Sequence, residues 1–376
     1  MTRIIKIGMD VHKDSFTLCA MEPKFGGKDI IFSTVKIGAD VDLVIDYIKK
    51  LKEKLQDSNL DIECGYEAGC LGYVPYAELK ARGVKCIILA PTTMMAPQGK
   101  RVKTDARDAL MIAQCLSYGG YKAVHIPTDQ DAAVSGYLRM RDDHKSALKK
   151  IKQQILSFAL YNGLRCEANN WTQLHLQFLR HCQCNPIVRE TLDDYLRTYD
   201  YLNNRIDEMN QRIHELCQDK AYSENVKKLQ CLIGIKEQTA LALITEVGDF
   251  TRFDKGNTLG AYLGLAPGEQ SSGAKTVRTG ISKAGNRFVR KLLTESAQGI
   301  CKGRIGYKSK DLKSRQQGNS KEVIDYADHA NEYMRRKYYR LMRKGKKHNI
   351  AVSAIARDLS CFVWGLMTDN ISIARD

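Results

Sequence analysis

Four carboxylates in the first third of the chain stand where a metal site would need them. Asp10 closes the apolar run in IGMDVHKD, Glu67 closes another in CGYEAG, and Asp105 and Asp108 fall three residues apart in KTDARDA. An i,i+3 spacing places the last two on one face at the start of a helix. A carboxylate ending a central strand, a second ending its neighbour and a helix-borne pair can surround two divalent ions. Hard oxygen donors suit Mg²⁺, which keeps waters and takes further ligands from phosphate. Singly, each acid has an ordinary role: an Asp after a strand caps a turn, and Asp105 can serve as an N-terminal helix charge. It is the set, in this order, that points to metal chemistry. His12, two residues beyond Asp10, reads as a solvated strand-end residue rather than a ligand.

A second constellation is GLAPGEQSSGAKTVRTGISKAG, residues Gly264–Gly285. A serine in a flexible loop ringed by cations can attack a phosphodiester, because the cations stabilise the charge that develops there. Lys275, Arg278 and Lys283 lie in the loop, and a following helix adds Arg287, Arg290 and Lys291. Alone, such a loop is more often a phosphate-contacting surface turn. Just upstream, LQCLIGIKEQTALAL resembles a helix-hairpin-helix, in which backbone N–H groups of a Gly-containing turn meet a DNA phosphate. Lys236 occupies its usual second Gly position. Further cations, Arg335, Arg336, Arg343 and Lys344 among them, crowd a Gly-poor stretch at 303–347 with Tyr333, Tyr338 and Tyr339 interleaved. Cys182 and Cys184 with His175 and His181 lack a second ligand pair at zinc spacing, so zinc is not expected there.

The elements that must position these groups follow from periodicity. Ile4–Met9, Ser15–Met21 and Ile30–Lys36 read as successive strands, Val41–Gln56 as a helix, Asp61–Glu67 and Val84–Leu89 as covered strands around the helical stretch Val74–Arg82, and Asp105–Leu116 as a closing helix. Three antiparallel strands followed by parallel ones give an α/β domain with a mixed five-stranded sheet, assigned to residues 1–130. Residues 131–225 read as a long helical arm. Val188, Leu192, Tyr195, Tyr199, Leu202, Ile206, Met209, Ile213 and Leu216 alternate by four and three, an a/d seam of four heptads. Leu148, Ile151, Ile155 and Phe158 begin a similar stripe upstream of a break near Asn185-Pro186. The seam fits either an intramolecular helical hairpin or a dimerisation coiled coil, and its unbroken length favours self-association as a dimer or tetramer. Residues 226–376 form a basic, mainly α-helical domain.

The chain has 376 residues and a net charge of +16, and the last 151 residues hold 28 Lys+Arg against 14 Asp+Glu. So basic a segment points to a polyanion, nucleic acid first. Twelve scattered cysteines suggest buried thiols in a reducing cytosol. No apolar run approaches a membrane span, and the start MTRIIKIGMDVHKD is not a signal-peptide pattern. A cytoplasmic location without membrane contact is the expectation.

Together, IGMDVHKD, GYEAG, KTDARDA, LIGIKEQTALAL and YLGLAPGEQSSGAK with ISKAGNRFVRKLL resemble a DEDD transposase of the insertion-sequence 110 family over residues 3–300. The resemblance implies an N-terminal RuvC-like (RNase H-like) domain, a coiled-coil arm and a C-terminal transposase domain. It implies a metal-binding tetrad of Asp10, Glu67, Asp105 and Asp108, and a serine nucleophile followed by Gly, which matches Ser272, with Ser271 immediately before it. It also implies donor and target DNA as partners and a structured bridge RNA as guide. Lys236 and the long basic stretch 303–347 depart from the family pattern. Two rival expectations are a RuvC-like Holliday-junction or structure-specific nuclease, which would use the tetrad with water as nucleophile, and a non-enzymatic nucleic-acid-binding scaffold.

Overall fold

The computed structural model describes residues 3–24, 26–56, 60–95, 104–272 and 275–371, with side chains described throughout except at 269–278. The chain divides into two compact units, Met1–Ile126 and Pro127–Asp376.

The first unit is built on β1 (Arg3–Val11), β2 (Ser15–Glu22), β3 (Ile30–Gly38), α1 (Val41–Leu55), β4 (Leu60–Glu67), α2 (Val74–Ala81), β5 (Lys85–Leu89) and α3 (Asp105–Tyr118). The sheet order is β3-β2-β1-β4-β5. β1 pairs antiparallel with β2, and β2 with β3, whereas β1–β4 and β4–β5 are parallel. This is the mixed sheet expected from the sequence. Alternation along β1 sends Ile5, Ile7 and Met9 into a core shared with Val44, Ile48 and Leu51 of α1. Burying each such side chain contributes roughly 1.5–3 kcal/mol. α1 starts where the Asp40 carboxylate accepts a hydrogen bond from the Asp42 amide, 2.8 Å away.

The other face of β1 carries Gly8, and it takes α3 at very close range. A Cβ placed on Gly8 would lie 2.0 Å from the Ala109 carbonyl oxygen and 2.4 Å from the Ala113 nitrogen. Gly65, paired with Gly8 on β4, meets the Leu116 methyls at 2.9 Å in the same test. Two registered glycines thus form a trough in which α3 lies directly on backbone. Thr104 caps α3 by accepting from the Arg107 amide, and Gly119 ends it at φ +68°.

The second unit comprises α4 (Asp129–Tyr161), α5 (Gln173–His181), α6 (Pro186–Cys217), α7 (Ser223–Leu229), α8 (Glu237–Val247), α9 (Gly256–Tyr262), a hairpin of β6 (Pro267–Ser272) and β7 (Lys275–Ile281), α10 (Arg287–Cys301), α11 (Lys310–Gln316), α12 (Lys321–Arg343) and α13 (His348–Met367). α4 and α6 run antiparallel. Ile151, Ile155 and Ala159 cluster with Leu192, Leu196, Tyr199 and Leu202 at the distal end, while Val134 and Leu138 join Ile213 and Cys217 at the root. The heptad seam of α6 is therefore occupied within the chain by α4, the intramolecular alternative. The root residues share one core with α8, α10, α12 and α13, so packing continues across the boundary expected at residues 225/226. α13 is long and apolar enough to span a membrane, but Val352, Ile355, Ala356, Leu359, Val363 and Leu366 are all buried in this core. It is a core helix.

Candidate active site and nucleic-acid-facing residues

Strand register sets the first part of the site. Met9 pairs with Tyr66, so Asp10 and Glu67 follow at one level of adjacent parallel strands, on the α3 side that Gly8 and Gly65 define. Asp10 also pairs with Thr17 on β2. The trough brings the first turn of α3 over this sheet end. Ligand atoms of Asp10, His12 and Asp105 come within 4.8 Å of one another. His12 Nε2 lies 3.2 Å from Asp10 Oδ2. Burial pushes the Asp10 carboxyl above its ordinary pKa; His12 opposes that shift, and the charges of Asp108 and Asp105 add to it. Asp108 is thus within electrostatic reach of Asp10. Lys36 Nζ, 2.9 Å from Asp105 Oδ2, holds the Asp105 carboxyl below the usual range.

Of the other three expected acids, Asp105 is therefore brought up to Asp10, and Asp108, in the same first turn of α3, adds its charge. Glu67 stands at the right level on β4 but is exposed and, like Asp108, lies outside the group within 4.8 Å. His12, expected to be a bystander, belongs to the group. The signal was its place two residues past Asp10, just beyond the end of β1, which turns its ring back to the Asp10 carboxylate. An open cleft of about 540 Å³ adjoins these groups, lined by Thr17, Thr34, Val35, Lys36, Thr104, Asp105 and Ala106. Thr17 Oγ1 is buried there and finds no hydrogen-bond partner among the described residues. Hard oxygen donors brought together beside an unpartnered oxygen fit a divalent cation.

The serine segment is a β-hairpin rather than a loop. Ser272 ends β6 and pairs with Lys275, Ser271 pairs with Thr276, and Glu269 pairs with Arg278. The side chains of Ser272, Lys275 and Arg278 lie outside those described. The expected ring of cations is split along the hairpin. Lys275 is opposite Ser272 at the tip, whereas Lys283 and Arg287 are exposed at the base, five residues of strand and about 17 Å away. Arg290 is a fastener at that base, which corrects its expected phosphate contact: its Nη1 donates to the carbonyls of Leu263 at 2.9 Å and Ala284 at 3.4 Å. Lys291 is taken by Asp142 at 2.6 Å. Gly264 (φ +71°) and Gly285 (φ +89°) let the two ends meet, since a Cβ on Gly285 would sit 1.9 Å from the Tyr262 carbonyl oxygen. Asn286 caps α10 and donates to Glu246, which Arg139 grips with two bonds of 2.7 and 2.8 Å.

The expected helix-hairpin-helix is α7, a turn and α8. Gly234 adopts φ +83° against the Ser296 carbonyl, and Arg315 Nη1 donates to Gln230 and Ile235 carbonyls. Lys236 is exposed at the start of α8. On α12 the expected cations divide by face. Arg335 is only 7 % exposed, and its Nη1 donates to the carbonyls of Arg304 at 2.9 Å and Tyr307 at 2.5 Å. It holds a loop and does not face solvent, a second correction. Arg336 is exposed but paired with Glu332 at 2.7 Å; Arg343 and Lys344 are exposed.

A mixed five-stranded sheet with acids on its central strand and on one helix face is consistent with an RNase H-like DEDD transposase domain. Sequence comparison gives the family. A DEDD-type transposase profile of the IS110 group matches residues 7–160, and that of the transposase IS116/IS110/IS902 family matches 226–313. The chain is 33% identical to the putative transposase y4qE of Sinorhizobium fredii over 304 residues, 80% of this chain and 74% of that protein. It is 30% identical to the transposase for insertion sequence element IS1533 of Leptospira borgpetersenii, over 92% of this chain and 99% of that protein. With the transposase for insertion sequence element IS1111A of Coxiella burnetii it shares 27% identity over 78% and 77% of the two chains. The chain belongs to the transposase IS116/IS110/IS902 family, and it is an enzyme that cuts and rejoins DNA.

Proposed function

We propose that this transposase moves its insertion sequence through a serine nucleophile, assisted by Mg²⁺ at the Asp10, Glu67, Asp105 and Asp108 tetrad. The approach of Asp105 to Asp10 within 4.8 Å, with Asp108 in the same first turn of α3, is the observation that carries the metal reading. When bound, Mg²⁺ would supply Lewis-acid stabilisation of charge developing on the scissile phosphate. Asp10, Asp105 and Asp108 would hold it, with Glu67 joining from β4. The Ser272 hydroxyl gives up its proton and its Oγ attacks phosphorus. An Oγ–P bond forms, the P–O3′ bond breaks, and the leaving 3′ oxygen takes up a proton. A new 3′ hydroxyl then attacks the phosphoserine, rejoining DNA and restoring the serine without ATP. The phosphodiester's bond energy is conserved throughout. Lys275, opposite Ser272 in the hairpin, and Arg278 stand nearest in register to meet the phosphate.

Donor and target DNA, a bridge RNA as guide and a cytoplasmic setting complete the reading, supported by family membership and the basic C-terminal segment. Exposed Lys236, Lys283, Arg287, Arg336, Arg343 and Lys344 supply phosphate contacts. Self-association runs through the arm's distal end, where Leu160, Tyr161, Leu174 and Ile187 are all more than two-thirds exposed. The test is a trap. Wild-type protein with labelled DNA should give a covalent adduct on a denaturing gel, and Ser272→Ala should lose adduct and cleavage together while Ser271→Ala keeps both. Cleavage without an adduct by Ser272→Ala would replace the serine with metal-activated water.

A further inference from the structure

One face of α12 forms a groove that sets Arg336 and Arg343, given phosphate contacts above, beside an aromatic ring. It encloses about 350 Å³ between α12 and the loop before α11, lined by Ile305, Tyr333, Arg336, Lys337, Arg340 and Arg343. No carboxylate is among these residues. Arg336 shares its charge with Glu332, and Lys337 is neutralised by Asp358 at 2.6 Å. Arg340 and Arg343 are exposed and have no carboxylate partner among the described residues. The floor is apolar: Tyr333 is 41 % and Ile305 44 % exposed. The Tyr333 ring is held by Phe362 edge-on at 5.8 Å and by the His329 ring stacked at 6.5 Å, and Lys337 Nζ lies over it 5.6 Å from its centroid, a position an incoming base would take over.

The opposite wall is also fixed. From the buried face of α12, Arg335 holds the Arg304 and Tyr307 carbonyls, and the Tyr339 hydroxyl donates to Gly303 at 3.0 Å. Ile305 is thereby pinned over the groove by side chains that do not line it. The α12 wall lies beyond the family profile, which ends at residue 313, whereas the Ile305 wall lies within it.

We propose that this groove holds an unpaired stretch of polynucleotide, with a base against Tyr333 and successive phosphates on Arg336, Arg340 and Arg343. The proposal rests on the reading of the chain as a nucleic-acid enzyme, but not on Ser272 or the metal. A duplex offers phosphates and keeps its base faces stacked, so it would leave the aromatic floor idle; only unpaired bases can cover it. Arg336 to Arg343 spans seven residues, about 10 Å of helix axis, the rise of roughly three stacked nucleotides of one strand.

The experiment measures binding of the full chain to short fluorescent oligonucleotides in the presence of a chelator, where no cleavage occurs. Single-stranded DNA, single-stranded RNA and duplex DNA of one sequence are compared across salt concentrations, and the two single strands identify which polynucleotide the groove takes. Tyr333→Ala should weaken a single strand about ten-fold and leave the duplex unchanged, while Tyr333→Phe keeps the affinity, because stacking needs only the ring. Arg340→Gln with Arg343→Gln, both on exposed positions that leave the core untouched, should lower the single-strand log–log salt slope by about 1.4. Equal loss on duplex and single strand, or single-strand binding unchanged in both variants, would overturn the groove. Because the assay contains no chemistry, its failure is separable from failure of the serine mechanism, which the covalent-adduct trap reads.

Discussion

Gly8→Ala should cripple DNA cleavage although it adds one methyl group and touches no carboxylate. The added Cβ would meet the Ala109 carbonyl oxygen at 2.0 Å and the Ala113 nitrogen at 2.4 Å, both backbone atoms of α3. Neither can rotate away. Contacts of this kind rarely fall below 3.0–3.4 Å, so α3 must lift from β1 by roughly 1–1.4 Å. Overpacking of this kind costs about 1–3 kcal/mol, which a two-unit chain of this size can absorb and remain folded. Asp105 and Asp108 ride on the same helix, within one turn of Ala109, and move with it while Asp10 stays on the sheet. A displacement near 1 Å at a reacting centre costs on the order of 10²-fold in rate. Gly65→Ala is the graded control, because its closest neighbours are the Leu116 side-chain methyls at 2.9 Å, which can yield. Cleavage rates and urea midpoints of the two variants decide the matter. A folded Gly8→Ala protein that cuts DNA at the wild-type rate would refute the claim that the glycine trough positions the acids.

Asp10→Asn, Asp105→Asn and Asp108→Asn should each abolish cleavage, several kcal/mol of transition-state stabilisation, while leaving binding to DNA largely intact; wild-type turnover in any two would sink the metal site. Glu67→Gln should do the same only if substrate draws the exposed Glu67 toward the group, so full activity in this variant alone would leave a three-acid site. Arg335→Ala should lower folding stability by about 2–3 kcal/mol, because two carbonyls lose a charged donor. Arg343→Ala should stay within about 0.5 kcal/mol, as an exposed residue with no ion pair among the described residues does. Urea denaturation compares the pair, and equal midpoints would remove the structural role given to Arg335.

The fold of the first unit was legible because strand alternation and helix stripes are local. The expected strands and helices appear in order, with ends shifted by a residue or two. The trough was not legible, since Gly8 and Gly65 are 57 residues apart and gain meaning only once β1 and β4 are in register. In α12 a signal was present and unused. Ala327, Asn331 and Met334 are buried, and the same stripe continues through Arg335, so period alone turns Arg335 inward and Arg336 outward. The Gly-rich serine segment looked like a loop because glycine and serine obscure the alternation that KTVRTGI carries in β7.

The arm shows how far periodicity reaches. A 3-4 repeat identifies the face of α6 that must be covered, but it is silent on whether the cover comes from the same chain or another. The upstream stripe supplies what the repeat lacks. Leu148, Ile151, Ile155 and Phe158 offer a complementary face, and the connection through α5 is short enough to fold α4 back along α6 at high local concentration. An intramolecular partner then occupies the seam before a second copy can. The self-association proposed above must accordingly use surface that the hairpin leaves open, and at its distal end that surface is apolar: Tyr161 is 90 % exposed, and Leu160, Ile187 and Leu174 are each close to 70 %. Substituting seam residues such as Leu202 would unfold the arm without informing on assembly, whereas substituting Leu160 and Tyr161 leaves the hairpin packed and isolates the contact between copies.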